Sequence, residues 1–85
     1  MTNAEALAKI RKLAAGNHIV LSAHALDRMS ERGAVYRDVW FALKNAVSTH
    51  QQRSDTWLTN GVDCDGDDIK IVLVIEAQLL IVTLF

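Results

Sequence analysis

The stretch "IKIVLVIEAQLLIVTLF", Ile69 to Phe85, determines the fold class of this chain. It contains two nearly continuous apolar runs, which are separated near Ala77 and Gln78. Runs of this length and β-branched content are typical of central strands, so the break between them predicts a hairpin. Lys70 and Glu76 interrupt the stretch, which is also shorter than the roughly 20 apolar residues that a membrane-spanning helix needs. We therefore expect two strands here and no membrane anchor.

More strands are expected immediately upstream. Trp57, Leu58 and Thr59 are typical strand residues, and the pairs Asn60-Gly61 and Asp65-Gly66 are typical of tight turns. The segment after Val47 therefore predicts three or four antiparallel strands.

The first half of the chain has helical periodicity instead. Thr2 and Glu5 have capping-box spacing ahead of an apolar pattern that Gly16 ends, which predicts the first helix. The segment from His18 to Ser22 predicts a short strand, and Ser22 is a suitable N-cap for a second helix over about Ala23 to Glu31.

After Gly33 the helical period resumes, which predicts a third helix beginning near Tyr36. Three N-terminal helices, with a short strand between the first two, are thus expected to pack on a C-terminal antiparallel sheet of three to four strands. The expected fold is a two-layer α+β sandwich, a single domain of residues 1–85.

Composition limits the function. The chain has 85 residues, of which 51% are hydrophobic, and this suits one core. Its formal net charge of -1 argues against nucleic-acid binding by bulk electrostatics, so a basic site must be local. The single Cys64 excludes an internal disulfide, and the first residues lack the apolar run of a signal peptide. We therefore expect a cytoplasmic protein.

The predicted second helix carries the candidate catalytic residues. At about 100° per residue, His24, Arg28 and Arg32 share one arc, which suits attack on an RNA phosphodiester. His24 would act as base or acid on the 2′-hydroxyl or leaving oxygen, and the arginines would hold the phosphate. The alternative is structural, with the arginines paired to Asp27, Glu31 or a carboxylate from elsewhere. The neighbouring arc, expected to face the sheet, comprises Ala25, Leu26 and Met29.

The stretch "SAHALDRMSERGAVYRDVWFAL", Ser22 to Leu43, resembles the domain-of-unknown-function family 4258, whose members read roughly Ser-x-His-Ala-x-x-Arg-Met-x-x-Arg-Gly-Ile. The closing hairpin is similar to that family's final hairpin, which ends Val-Thr-aliphatic-aromatic. Carried over position by position, the resemblance supports His24, Arg28 and Arg32 as site residues.

The resemblance also implies an activity, because that family is similar to the RelE and MqsR toxins. It implies a RelE-like fold and the toxin of a type II toxin-antitoxin pair, a metal-independent mRNA endoribonuclease held inactive by an antitoxin, often of zinc-finger type. The chain departs from the family pattern at Ala34 and Val35, which replace Ile and Ser. It also lacks the Lys-rich or Tyr-rich C-terminus of several RelE-like nucleases.

Three further residues are candidates for substrate binding. His50 and Arg53 could complete an RNA site, with Trp57 as a stacking surface, although ordinary exposed strand and loop polarity explains the same residues. The acidic stretch "DCDGDD", Asp63 to Asp68, fails the spacing of a calcium loop and predicts a charged hairpin tip. Because Cys64 has no partner cysteine, neither a zinc site nor a redox pair is supported. No metal or cofactor is predicted.

Two functions remain open on the sequence alone. One is the RNA-cleaving toxin, and the other is a noncatalytic module that binds protein or nucleic acid with the same arginines. A nuclease needs a second proton-transfer group facing His24, for which His50, Glu76 and Tyr36 are the candidates.

Overall fold

The computed structural model describes residues 1–85 and contains three helices and five strands in one sheet. The predicted α+β class is confirmed. In chain order the elements are α1 (Asn3–Ala15), β1 (Ile19–Leu21), α2 (Ala23–Arg32), α3 (Tyr36–Lys44), β2 (Ser48–Gln51), β3 (Trp57–Val62), β4 (Asp68–Ile75) and β5 (Leu79–Leu84).

The sheet is mixed, with strand order β1-β5-β4-β3-β2. Strands β2 to β5 pair antiparallel, whereas β1 lies parallel to β5, with Ile19 opposite Leu79 and Leu21 opposite Ile81. The expected antiparallel sheet of three to four strands is therefore corrected to a mixed sheet of five. The first and last strands are far apart in the sequence, so no local pattern indicates that they pair.

One predicted turn is wrong. Asn60 and Gly61 lie inside β3, opposite Lys70 and Ile69 of β4. A Cβ atom on Gly61 would lie 2.6 Å from the carbonyl oxygen of Ala42 in α3. The glycine therefore allows close packing of a helix on the strand and does not reverse the chain.

The other predicted turn is confirmed. Gly66 has a φ of +85° between β3 and β4, and its N–H donates to the carbonyl of Asp63 at 3.0 Å. A left-handed residue of this kind favours glycine because a Cβ atom would be strained there.

All three helices contribute to a single core with one side of the sheet. Alternate residues of β4, namely Ile69, Ile71 and Leu73, are buried in this core. Burial of these aliphatic side chains is the main source of the fold's stability. The buried residues contributed by the helices are Ala6, Ile10, Ala14, Ala25, Met29, Val39, Ala42 and Leu43.

The first two helices begin with side-chain caps, and the third does not. Thr2 and Glu5 form the predicted capping box, and the Ser22 hydroxyl accepts from the N–H of Ala25 at 3.0 Å. At α3 the residue before the helix is Val35, which has no side-chain oxygen to act as a cap.

The start of α3 is stabilised by Asp38, a residue inside the helix. Its Oδ2 atom accepts from the N–H of Val35 at 2.9 Å, and Oδ1 accepts from the N–H of Cys64 at 3.2 Å. The bond from Val35, followed by that from Cys64, holds the pKa of Asp38 below its usual value although burial opposes this. Asp38 thus ties the β3-β4 turn to α3.

Replacement of Asp38 with asparagine tests this link. Because the folded-state pKa is lowered, the carboxylate contributes stability above its unfolded pKa of about 4, and that stability is lost as the pH falls through the folded value. We expect Asp38→Asn to lower the free energy of unfolding at neutral pH by about 1 kcal/mol and to weaken its pH dependence below about pH 4. Urea unfolding at neutral and acidic pH measures both. Asp65→Asn on the exposed hairpin is the control, and equal pH dependence in the two variants would contradict the role of Asp38.

Candidate functional site

Helix α2 lies along the edge of β5. β1 covers the first part of that edge, and the N–H of Ser22 continues the pairing by donating to the carbonyl of Ile81 at 3.1 Å. The hydroxyl of Ser22 then donates to the carbonyl of Val82 at 2.9 Å, and Nε of Arg28 donates to the carbonyl of Leu84 at 3.1 Å. The side chains of Ser22, just before α2, and of Arg28, within it, therefore donate to carbonyl groups of β5 that a neighbouring strand would otherwise bind.

Both arginines of the predicted row also have acidic neighbours. Nη1 of Arg28 lies 3.4 Å from Oε2 of Glu31, and the two side chains are 40% and 65% exposed. Nη2 of Arg32 donates to the carbonyl of Asp68 and lies 3.5 Å from Oδ2 of the buried Asp63. Part of each guanidinium group is therefore engaged in a structural ion pair, which was the alternative to a site on the sequence alone. Arg28 pairs with Glu31 on the same helix, and Arg32 pairs with Asp63, a carboxylate outside α2.

The two arginines share one open cavity of about 290 Å³. Nη2 of Arg28, and Nε and Nη1 of Arg32, have no hydrogen-bond acceptor. Free N–H groups from two guanidinium groups suit a phosphate or carboxylate, whose oxygens accept such bonds in pairs. The cavity lining is Arg28, Glu31, Arg32, Leu84 and Phe85.

His24 lies apart from this cavity, in the first turn of α2. Its side chain is exposed and makes no hydrogen bond or ion pair. About 12 Å of helix separates it from Arg32. Leu26 is 51% exposed, which corrects the expectation that it faces the sheet; only Ala25 and Met29 of that arc are buried.

None of the three candidate proton-transfer partners lies beside His24. His50 is on β2, the edge strand at the opposite side of the sheet from α2, three strand spacings or about 14 Å from β5. Tyr36 follows the far end of α2. Glu76 lies in the turn before β5, whereas Ser22, two residues before His24, bonds to Ile81 and Val82 further along that strand. The structure brings Arg28 and Arg32 together, but it does not bring His24 together with any of these three candidates.

The predicted substrate-binding residues are also separated from the arginines. His50 is exposed on β2, and Arg53 is exposed in the connection to β3. Trp57 is only 6% exposed and belongs to the core, so its ring offers no stacking surface. Because β2 and α2 lie at opposite edges, these residues and Arg28 do not share one site.

The acidic hairpin has a structural role that the sequence did not indicate for Asp63. Its Oδ1 atom accepts from the N–H groups of Asp65 and Asp67, each at 2.9 Å, while Oδ2 faces Arg32. The alternating aspartates could have predicted this role, because the side chain of aspartate commonly accepts a hydrogen bond from the backbone N–H two residues ahead in turns. No three His, Cys, Asp or Glu side chains lie close enough together to hold a metal ion.

Fold and site together define a small α+β protein with an arginine-lined cavity where a helix closes a sheet edge. Comparison of the chain with known protein families, curated proteins and solved structures finds no match. None of the three helices has the length and apolar character required to cross a bilayer.

Proposed function

We propose that this chain is an RNA-binding protein, the toxin of a type II toxin-antitoxin pair with a RelE-like layout, and that Arg28 and Arg32 bind an RNA phosphate. The observation that carries the proposal is that two guanidinium groups line one cavity and that each has N–H groups without an acceptor in the protein. A phosphodiester oxygen pair fits such donors.

Phe85 supports RNA as the ligand. Its side chain is 48% exposed and lines the same cavity, so a base next to the bound phosphate could stack on the ring. The resemblance of the α2 motif to family 4258 supports the toxin assignment, and with it an antitoxin partner, mRNA or the ribosome as the target, and a cytoplasmic location.

Binding without cleavage is the form of this function that the geometry favours, because none of the three candidate proton-transfer partners, His50, Glu76 and Tyr36, lies beside His24. Cleavage of mRNA is the second candidate. It is favoured by one observation: His24 is exposed and unbonded, one helical turn from Arg28, and its ring is therefore open to an RNA bound at that arginine.

Replacement of Arg28 with alanine tests the RNA site. We expect a single-stranded RNA of about ten nucleotides to bind the wild type at low salt, and Arg28→Ala to weaken binding about tenfold and reduce the salt slope by about 1. Fluorescence anisotropy with labelled RNA measures both effects. Arg53→Ala removes the same charge from an exposed loop at the far edge and serves as the control.

Two outcomes would change the proposal. Equal weakening by Arg28→Ala and Arg53→Ala would show that RNA responds only to overall charge and would refute the site. New RNA ends produced by the wild type but not by His24→Ala would show that the protein is a nuclease and does not only bind RNA. In that case a bacterial host would stop growing when it expresses the wild type and would grow when it expresses His24→Ala.

A further inference from the structure

Charge is unevenly distributed between helices α1 and α3 and the rest of the molecule. The chain has nine basic and ten acidic side chains, and α1 and α3 hold five of the basic but only two of the acidic ones. These two helices are therefore net positive, while the remainder of the chain is net negative. The basic residues concerned are Lys9, Arg11, Lys12, Arg37 and Lys44.

One side of α3 combines positive charge with aromatic surface. Its opposite side, which includes Val39 and Leu43, is buried in the core. We call the outward side the α3 outer face; it comprises Tyr36, Arg37, Trp40, Phe41 and Lys44, of which Arg37 and Lys44 are exposed and Trp40 and Phe41 half-buried.

The two cations on the α3 outer face have no acidic partner. Both ion pairs of the protein belong to α2, and no carboxylate lies within 4 Å of the Arg37 or Lys44 charge. The ammonium of Lys44 lies 4.7 Å from the centroid of the Trp40 ring, which holds it in place by a cation-π interaction. The face thus presents positioned, unneutralised charge.

We propose that the α3 outer face binds an acidic amphipathic helix of a partner protein. Arg37 and Lys44 are seven residues apart, which is two helical turns or about 10.5 Å. Carboxylates seven residues apart on a partner helix have the same spacing, so they meet both cations when the helices lie side by side. Phe41, half-buried between the cations, supplies apolar contact for the partner's aliphatic side chains.

Two observations favour an acidic helix over RNA at this face. Lys44 occupies one face of the Trp40 ring, where a base would stack. The acidic hairpin also adjoins the beginning of α3, because Cys64 donates its N–H to Asp38 and its thiol to the carbonyl of Arg37. A phosphate chain is charged along its whole length and would meet like charge at Asp65 past Arg37, whereas a helix can carry carboxylates only at the two positions that face the cations.

The test uses a synthetic helical peptide of about 14 residues with two glutamates seven residues apart beside a leucine face. We expect it to bind the wild type at low salt, to change Trp40 emission, and to shift backbone NMR signals of α3. Arg37→Glu combined with Lys44→Glu should weaken binding at least about tenfold. Lys70→Glu, at an exposed and unpaired lysine on β4, should leave the affinity within about twofold.

Several results would overturn the proposal. These are the absence of binding by the wild type, equal weakening by Lys70→Glu, or NMR shifts confined to α2. Tighter binding of a single-stranded RNA than of the peptide at the α3 residues would assign the face to nucleic acid. Because Arg28→Ala should leave peptide binding unchanged, failure of the RNA site on α2 and failure of this proposal are distinguishable.

Discussion

Replacing Gly61 with alanine is expected to lower the free energy of unfolding by about 2 to 3 kcal/mol. The new Cβ atom would lie 2.6 Å from the carbonyl oxygen and 3.2 Å from the carbonyl carbon of Ala42. These are backbone atoms in the last turn of α3, which packs on β3, so relief requires this end of α3 to move away from the strand. Because the two elements share the core, that movement would loosen contacts of Val39 and Leu43 as well.

Urea unfolding followed by circular dichroism measures this effect, and Gly33→Ala is the matched control. Gly33 has a φ of +74°, but a methyl group added there would have no atom within 4 Å, so the control carries conformational strain of about 1 kcal/mol without a clash. If the variant at Gly61 is no less stable than the one at Gly33, close packing is not the reason for glycine within β3.

Arg32→Ala is expected to lower the free energy of unfolding by about 2 kcal/mol. Arg32 is the cation that faces Asp63, whose side chain is only 9% exposed, and it also donates to the carbonyl of Asp68. Removing it leaves a buried carboxylate without a counter-charge and a strand-end carbonyl without a donor. The two bonds that Asp63 accepts from backbone N–H groups limit the loss.

Arg28→Ala should cost about 1 kcal/mol, because its ion pair with Glu31 is exposed and the main loss is one hydrogen bond to the carbonyl of Leu84. A double-mutant cycle of Arg32→Ala with Asp63→Asn, measured by chemical denaturation, isolates the coupling between the two side chains. A coupling energy near zero would show that the pair does not stabilise the hairpin. The difference between the arginines also explains why Arg28, and not Arg32, is the informative position for RNA binding.

Local features of the fold were predictable from the sequence, because neighbouring residues specify them. The capping box of Thr2 and Glu5, the Ser22 cap and the turn at Gly66 all depend on residues within five positions of one another. The parallel pairing of β1 with β5 and the approach of Ala42 to Gly61 join distant segments. Neither hydrophobic periodicity nor a turn dipeptide specifies such contacts. The pair Asn60-Gly61 therefore predicts a turn, although both residues lie within β3.

The candidate site shows the same limit. Helical spacing correctly placed Arg28 and Arg32 on one side of α2, since their relative position depends only on helix geometry. The separation of His24 from His50 depends on strand order, which the sequence did not indicate. The burial of Trp57 likewise follows from which side of β3 faces the helices.

The closure of the β5 edge by Ser22 and Arg28 restricts how this chain can change in length. The two side chains donate to the carbonyls of Val82 and Leu84, which are two residues or about 7 Å apart along β5. Ser22, just before α2, and Arg28, within it, are six residues or about 9 Å apart along the helix axis. One inserted or deleted residue in that interval would turn Arg28 by about 100° away from Leu84. Insertions and deletions should therefore be tolerated in the exposed connection between β2 and β3. They should not be tolerated between Ser22 and Arg28, because the number of residues there must keep both side chains aligned with their carbonyls on β5.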